Sequence, residues 1–114
     1  MLFEMHLNPV PFNGIVTGRK DVEMRLLTEE RKKLSIGDQI RFINNVTQKT
    51  VLVEVVGLHR FKTFKELYAA YPKNRLGYHK DDEADYHDMN QFYTDENIKK
   101  FGVIAIEINI IKEK

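Results

Sequence analysis

The chain contains no cysteine, no tryptophan, three prolines and a single serine. Without cysteine there are no disulfides, no thiol nucleophile and no zinc site that depends on thiolate. The lone Ser35 lies in Leu34-Ser35-Ile36-Gly37, which lacks the G-x-S-x-G context of a hydrolase elbow and reads as turn chemistry. No apolar run approaches the ~18 residues of a membrane span, and no signal-peptide pattern opens the chain. A cytoplasmic protein with no membrane association is the expectation. Neither G-x-x-x-x-G-K-[ST] nor G-x-G-x-x-G occurs, so phosphate-cradling loops of the usual kinds are not indicated and no cofactor is expected. Internal repeats, low-complexity tracts and Gly/Ser/Pro-rich linkers are also missing, which predicts one domain over residues 1–114.

What is present suffices for one core. At 114 residues and 42% hydrophobic content, with seven Phe and five Tyr, folding buries roughly two-thirds of the unfolded surface. The net charge of +1 averages two unlike parts. Residues 1–80 carry fourteen Lys/Arg against eight Asp/Glu, whereas residues 81–114 carry four against nine. From Asp81 to Glu96 there are seven acids and no Lys or Arg. Such asymmetry fits a basic surface that meets an anion and an acidic segment facing elsewhere, and it equally fits two ordinary solvated faces.

Short strands alternate with short helices. Leu2–Leu7 reads as a strand broken by Pro9 and Pro11. Pro11 suits the first turn of a helix whose Phe12, Ile15 and Val16 share a face, with Gly18 as its C-terminal cap. Asp21–Leu27 alternates strictly, Val22, Met24 and Leu26 against Asp21, Glu23 and Arg25. Thr28–Lys33 orders its charges as a short helix's dipole prefers. Gly37-Asp38 turns the chain into a strand at Gln39–Ile43, Asn44-Asn45 begins a hairpin loop, and the β-branched run Thr50–Leu58 follows as a strand. Thr63 and Glu66 form a capping box before Phe64, Leu67, Tyr68 and Tyr71, and Pro72 stops that helix. Residues 73–93 read as a loop with short helical pieces. Thr94 starts a last helix that ends at Gly102, and Val103–Ile111 closes the chain as a strand with Ile104, Ile106, Ile108 and Ile110 on one face. The sum is an α+β domain, a small barrel in form.

The densest chemical signal is Gly18-Arg19-Lys20-Asp21-Val22-Glu23-Met24-Arg25. Gly18 lets the chain turn out of a helix, and Lys20 stands at the mouth of the next strand. Glu23 and Arg25, two apart, project from one face of it. Two cations and a carboxylate on one small surface can hold a phosphate or polarise a carbonyl while Glu23 orients them or accepts a proton. The same residues also fit a solvated strand face whose ion pair contributes under ~1 kcal/mol.

The stretch Met5-His6-Leu7-Asn8-Pro9, Pro11-Phe12, Gly18-Arg19-Lys20-x-x-Glu23-x-Arg25-Leu26 and Ile36-Gly37-Asp38-Gln39-Ile40-Arg41-Phe42 resembles the ASCH domain family. Its signature is G-x-K-x-x-E-x-R followed by a "G-D-x-I-x-F" strand. Tyr86, Met89, Phe92-Tyr93-Thr94 and Gly102–Ile108 resemble the close of the small bacterial members. The resemblance implies a PUA-like β-barrel of about six strands with short helices closing a cleft. It further implies that the motif residues Gly18, Lys20, Glu23 and Arg25 line that cleft and that the ligand is RNA or a nucleoside or nucleotide. Basic residues suit the phosphates, and an aromatic ring suits a base. Tyr93 is the favoured ring, with Tyr78 and Tyr86 behind it, each also readable as a half-buried tyrosine with a wet hydroxyl.

Some family members are hydrolases, which makes Lys20 and Glu23 the catalytic candidates of an alternative reading. One branch deacetylates N4-acetylcytidine with the motif lysine, a threonine three residues later and a downstream glutamate. Lys20 matches the lysine, but the threonine position is Glu23, and a carboxylate attacking an amide is a different reaction from a hydroxyl doing so. Glu83 is the candidate for the downstream glutamate. Others act as metal-dependent ribonucleases with a Tyr, Lys and Ser/Thr set, of which only Lys20 can be placed. His79 and His87 lie among Asp81, Asp82, Glu83, Asp85 and Asp88, yet neither H-E-x-x-H nor an EF-hand spacing occurs, so no metal site is expected. His6 and His59 read as satisfied core or edge histidines. A third reading makes the acidic segment 81–96 the interface for a protein partner.

Overall fold

A computed structural model describes residues 1–111; the last three residues of the expected 1–114 domain lie outside the described part. Five strands form one sheet: β1 (Leu2–Leu7), β2 (Val22–Leu26), β3 (Gln39–Asn44), β4 (Thr50–Phe61) and β5 (Val103–Ile110). Their spatial order is β1-β3-β4-β5-β2. The β1–β3 pair is parallel and the other three pairs are antiparallel. The helices are α1 (Pro9–Val16), α2 (Phe64–Ala70) and α3 (Asp95–Phe101), with 3₁₀ turns at Arg31–Lys33 and Tyr86–Gln91. Among the described residues no helix is long and apolar enough to cross a membrane.

This is the α+β half-barrel the sequence points to, with five strands in the described residues where about six were implied. The sheet rolls because β4 is long. It runs on through His59, Arg60 and Phe61, beyond the expected end at Leu58, and its pairing with β5 slips between Val55 and Gly57. A bulge of this kind bends a strand and adds local twist. The roll brings the two edge strands together, and the Arg25 guanidinium of β2 donates to the His6 carbonyl of β1 at 3.0 Å. That contact clasps the open seam of the half-barrel.

The alternation of each strand divides its side chains between two cores. One lies within the rolled sheet under α1 and contains Phe12, Ile15, Ile40, Phe42, Val53, Val55, Ile104, Ile106 and Ile108. The other lies between the outer face of β2 and β5 and the later segments, and contains Val22, Met24, Leu26, Phe64, Leu67, Leu76, Met89 and Val103. Ile110, expected with the other isoleucines, is exposed where β5 runs out.

Local signals account for most boundaries. The Thr63 hydroxyl accepts from the Glu66 amide and the Thr94 hydroxyl from the Asn97 amide, capping α2 and α3. Helix α1 starts at Pro9, which puts Pro11 in its first turn as expected, where prolines are tolerated because the amides there are unpaired. Its Phe12 and Ile15 are buried, but Val16 is exposed. The charge order of Thr28–Lys33 yields only a 3₁₀ turn, since too few residues are available to nucleate a helix. Ser35 is a turn residue as expected; its amide donates to Asp38 at 2.8 Å.

Phe42 is fully buried, so Phe42→Ala is expected to cost about 3–5 kcal/mol. Exposed Val46→Ala should change stability by no more than ~0.5 kcal/mol. Urea midpoints of the two variants measure this, and equal midpoints would remove Phe42 from the core.

Candidate functional site

The motif begins where α1 ends. Gly18 has φ +78°, a left-handed conformation that lets the chain reverse directly after Thr17. The Lys20 amide then donates to the Gly14 carbonyl at 2.9 Å, and the Asp21 and Val22 amides both reach the Arg75 carbonyl at 3.1 Å. The strand is therefore fixed at its first residue by α1 on one side and by the 73–78 segment on the other. The Lys20 side chain passes beside both: a β-carbon at Gly14 would lie 3.3 Å from the Lys20 β-carbon, and one at Gly77 would lie 3.2 Å from its δ-carbon. Two glycines leave the corridor that the lysine stem occupies.

Glu23 and Arg25 stand opposite Ile106 and Ile104 of β5. Directly opposed residues share a face, and those isoleucines belong to the inner core. The polar face of β2 is thus turned into the half-barrel, which overturns the reading of a solvated strand face. Lys20 is 7% exposed and Glu23 3%. Glu23 Oε1 lies 3.1 Å from Lys20 Nζ and accepts from the Met24 amide at 3.1 Å. Glu23 Oε2 accepts from Arg25 Nε at 3.2 Å and from Nη2 at 3.0 Å. Both carboxylate oxygens are spent.

Burial drives the Glu23 carboxyl pKa up, but the charges of Lys20 and then Arg25, with their hydrogen bonds, outweigh it and pull the value from 4.5 down to about 2. A carboxylate so held is a poor proton acceptor at neutral pH, because general bases work best with a pKa near the working pH. Its chemistry is to anchor two cations.

Two contiguous chambers open beside this cluster. The smaller, about 130 Å³, is walled by Asn8, Pro11, Glu23, Arg25, Phe92 and Tyr93 among others, and the larger, about 220 Å³, by Val10, Arg19, Tyr68, Gly77, Tyr78 and Asp88 among others. Lys20, Met24, Met89, Pro11 and Phe92 line both. The rim is apolar and open: Phe92 is 56% exposed and Val10 73%. Tyr93 lines the smaller chamber, with its ring stacked on Phe64 at 5.9 Å and 12° between planes.

Of the residues expected here, Lys20, Glu23, Arg25 and Tyr93 come together and Gly18 does not; it shapes the turn and lines neither chamber. Tyr78 is a wall of the larger chamber, but its hydroxyl is committed to Asp88 at 2.6 Å and to Tyr68 at 2.9 Å. Burial and then the Asp88 contact push its pKa up. Tyr86 lies outside both chambers, packed against the His87 ring at 4.1 Å. Glu83 is exposed and lines neither chamber. His6 contributes its carbonyl to the clasp, while His59 is an exposed edge residue 3.0 Å from Glu107.

The acidic stretch largely serves its own loop. Asp82 accepts from the His79 amide, Asp85 from the His87 amide, and Asp88 from Tyr78. Asp95 takes the Asn90 side chain. Among the described residues no three acids or histidines are grouped as metal ligands would be.

Phe92, Val10 and the two glycines beside Lys20 were not legible as site residues. Phe92 and Gly77 belong to a stretch without periodicity, and the signals available were Phe92's place next to Tyr93 and its share in the Phe92-Tyr93-Thr94 resemblance.

The depressed Glu23 pKa carries a stability consequence. The folded value lies below the unfolded one, so the stabilisation is complete above pH 4.5 and is lost as pH falls toward about 2. Its size is on the order of 3 kcal/mol. Glu23→Gln should be destabilised at pH 6, because buried Lys20 and partly buried Arg25 lose their counter-charge, and should lose less further stability between pH 6 and pH 3 than the wild type does. Urea denaturation at the two pH values tests this; an equal loss in both proteins would mean that Glu23 does not carry the acid dependence.

Comparison with known proteins agrees with this architecture. No curated protein matches the chain. The hypothetical protein PH0355 has a crystal structure that superposes with a TM-score of 0.82 at 31% identity, covering 97% of this chain and 100% of that one. A protein of Pyrococcus furiosus solved by NMR gives 0.73 at 26% identity, covering 99% and 100%. The ASCH domain of Lactobacillus crispatus gives 0.65 at 12% identity, covering 96% of this chain and 79% of its own, and so shares the fold. The model of the ASCH domain matches residues 5–112, nearly the whole chain, and with Lys20, Glu23 and Arg25 of the G-x-K-x-x-E-x-R motif gathered at one cleft the protein belongs to the ASCH domain family.

Proposed function

We propose that the protein binds RNA or a nucleoside or nucleotide in the cleft between α1, β2 and the Met89–Tyr93 segment. The observation that carries this reading is a buried lysine beside a partly buried arginine at the floor of an apolar, open-rimmed cleft. Lys20 Nζ has three N–H donors and one close acceptor among the described residues, Glu23, which leaves donor capacity for a ligand carbonyl or phosphate oxygen. Arg25 divides its donors between Glu23 and the His6 carbonyl and adds positive charge to the smaller chamber. The exposed ring of Phe92 and the half-buried ring of Tyr93 suit a flat, weakly polar body such as a base. A ligand with an aromatic plane and an acceptor-rich edge or an anionic group satisfies both features, and a nucleotide is such a molecule.

In this reading Lys20 makes the carbonyl or anion contact, Glu23 holds Lys20 and Arg25 in place, and Phe92 and Tyr93 bound the base. The hydrolytic alternative, with Lys20 and Glu23 as catalytic residues, is less well supported. Glu23 has no free oxygen lone-pair geometry to spare from its three donors, and its low pKa opposes use as a base. The acidic segment as a partner interface has no supporting observation beyond its exposure.

Titration of labelled oligouridine against wild type and Lys20→Ala tests the binding reading. The variant should bind at least tenfold more weakly, and if Lys20 contacts a phosphate the salt slope should fall by about 0.7 to 1. Equal binding by both proteins would take the motif out of ligand recognition. Incubation with N4-acetylcytidine, analysed by chromatography, should give no cytidine; product formed by the wild type and not by Lys20→Ala would establish the hydrolase reading instead.

A further inference from the structure

A second concavity lies on the far side of the cleft's aromatic wall. It is a groove of about 770 Å³ between the start of α2, the Tyr86–Gln91 turn and α3, within the roughly 300–1,000 Å³ common for ligand sites. Its lining includes Lys62 and Lys65 at the start of α2 and Lys99 on α3, all exposed. Among the described residues none of the three lies within ion-pair distance of a carboxylate. Asp95 is the one acid that lines the groove, and it is engaged by Asn90. Tyr86 and His87 of the 3₁₀ turn also line it, and their rings pack at 4.1 Å and 30°.

The floor links the groove to the cleft. Phe64 lines the groove, Tyr93 lines the smaller chamber, and the two rings are stacked on each other. Phe92 continues the series, 6.3 Å from Tyr93. A single row of aromatic rings therefore runs from the cleft's rim to the groove that the three lysines line.

We propose that the groove binds the continuation of a single-stranded RNA whose one nucleotide occupies the cleft, the phosphates lying along Lys62, Lys65 and Lys99 and a base against Tyr86 and His87. The inference rests on the binding function proposed above. It goes beyond it in making the ligand a strand rather than a free nucleoside. Charge complementarity selects the occupant: a groove lined by three lysines and one carboxylate, Asp95, is net positive and meets a polyanion, and single-stranded nucleic acid combines regularly spaced charge with flat rings. The wall of Tyr86 and His87 supplies the rings' partners, since stacking on aromatic side chains is how such strands are held without sequence preference.

The test compares an oligouridine decamer with uridine 5′-monophosphate, which is long enough for the cleft alone. Wild type, Lys20→Ala and a triple variant Lys62→Ala/Lys65→Ala/Lys99→Ala are titrated by anisotropy and by competition over a series of salt concentrations. The three lysines are on the surface, so circular dichroism of the variant should match the wild type. For the triple variant the decamer's salt slope should fall by about 2, at ~0.7 per phosphate contact on a single strand, while the monophosphate binds as before. A decamer slope unchanged in the triple variant overturns the groove assignment and leaves an acidic polypeptide as the candidate occupant. If Lys20→Ala leaves both ligands bound while the triple variant loses slope, the cleft reading fails and the groove stands. If wild type binds no decamer, both fail.

Discussion

The structure depends on one buried carboxylate. Glu23 sits on the inward face of β2, where an uncompensated charge would cost several kcal/mol, and it is tolerable only because Lys20 and Arg25 share it. The dependence runs both ways. Lys20 reaches Glu23 because the chain leaves α1 through a left-handed glycine and because Gly14 and Gly77 stand back from the lysine stem. Arg25 reaches Glu23 and then spans to the opposite edge of the sheet. Removing the acid would leave Lys20 buried without a counter-charge and Arg25 held only at the seam, which would slacken with it. The arrangement that gives the cleft its charge is thus also the one that closes the half-barrel.

The division of the core follows from the same strand. Val22, Met24 and Leu26 pack outward with Phe64, Leu67 and Met89, while Glu23 and Arg25 point inward. The irregular segment from Pro72 to Tyr93 is held against that outer face by Leu76 and Met89 and by Tyr78's bonds to Asp88 and Tyr68. This places Phe92 and Tyr93 beside the motif across about seventy residues of sequence. The cleft is therefore made of one helix, one strand and one largely irregular segment, the division of labour expected where a rigid scaffold presents adaptable contacts.

Much of this was legible in the chain. The alternation of residues 21–27, the β-branched run of β4, the threonine caps of α2 and α3 and the isoleucine face of β5 all led to the elements observed. Glu23 and Arg25 could be placed on one face by their spacing, with Lys20 near them at the mouth of the strand. Their burial could not, because alternation says which residues share a face and not which face is covered. The bulge near Gly57 that rolls the sheet leaves no periodic mark. The acids of residues 81–96 read as one charged patch, whereas in the fold most of them are bound singly to nearby amides and hydroxyls. Such local bonds depend on turn geometry that composition does not encode.

The clasp at the seam is asymmetric in its tolerance of change. Its acceptor is the main-chain carbonyl of His6, whose own side chain is exposed, so position 6 can vary freely without loosening the contact. Its donor is a single guanidinium that serves Glu23 through Nε and Nη2 and the carbonyl through Nη2. A lysine at position 25 would bring one nitrogen and no planar fork, and could not reproduce that spread of donors. One side of the joint is free to drift over evolutionary time and the other is confined to a single residue type.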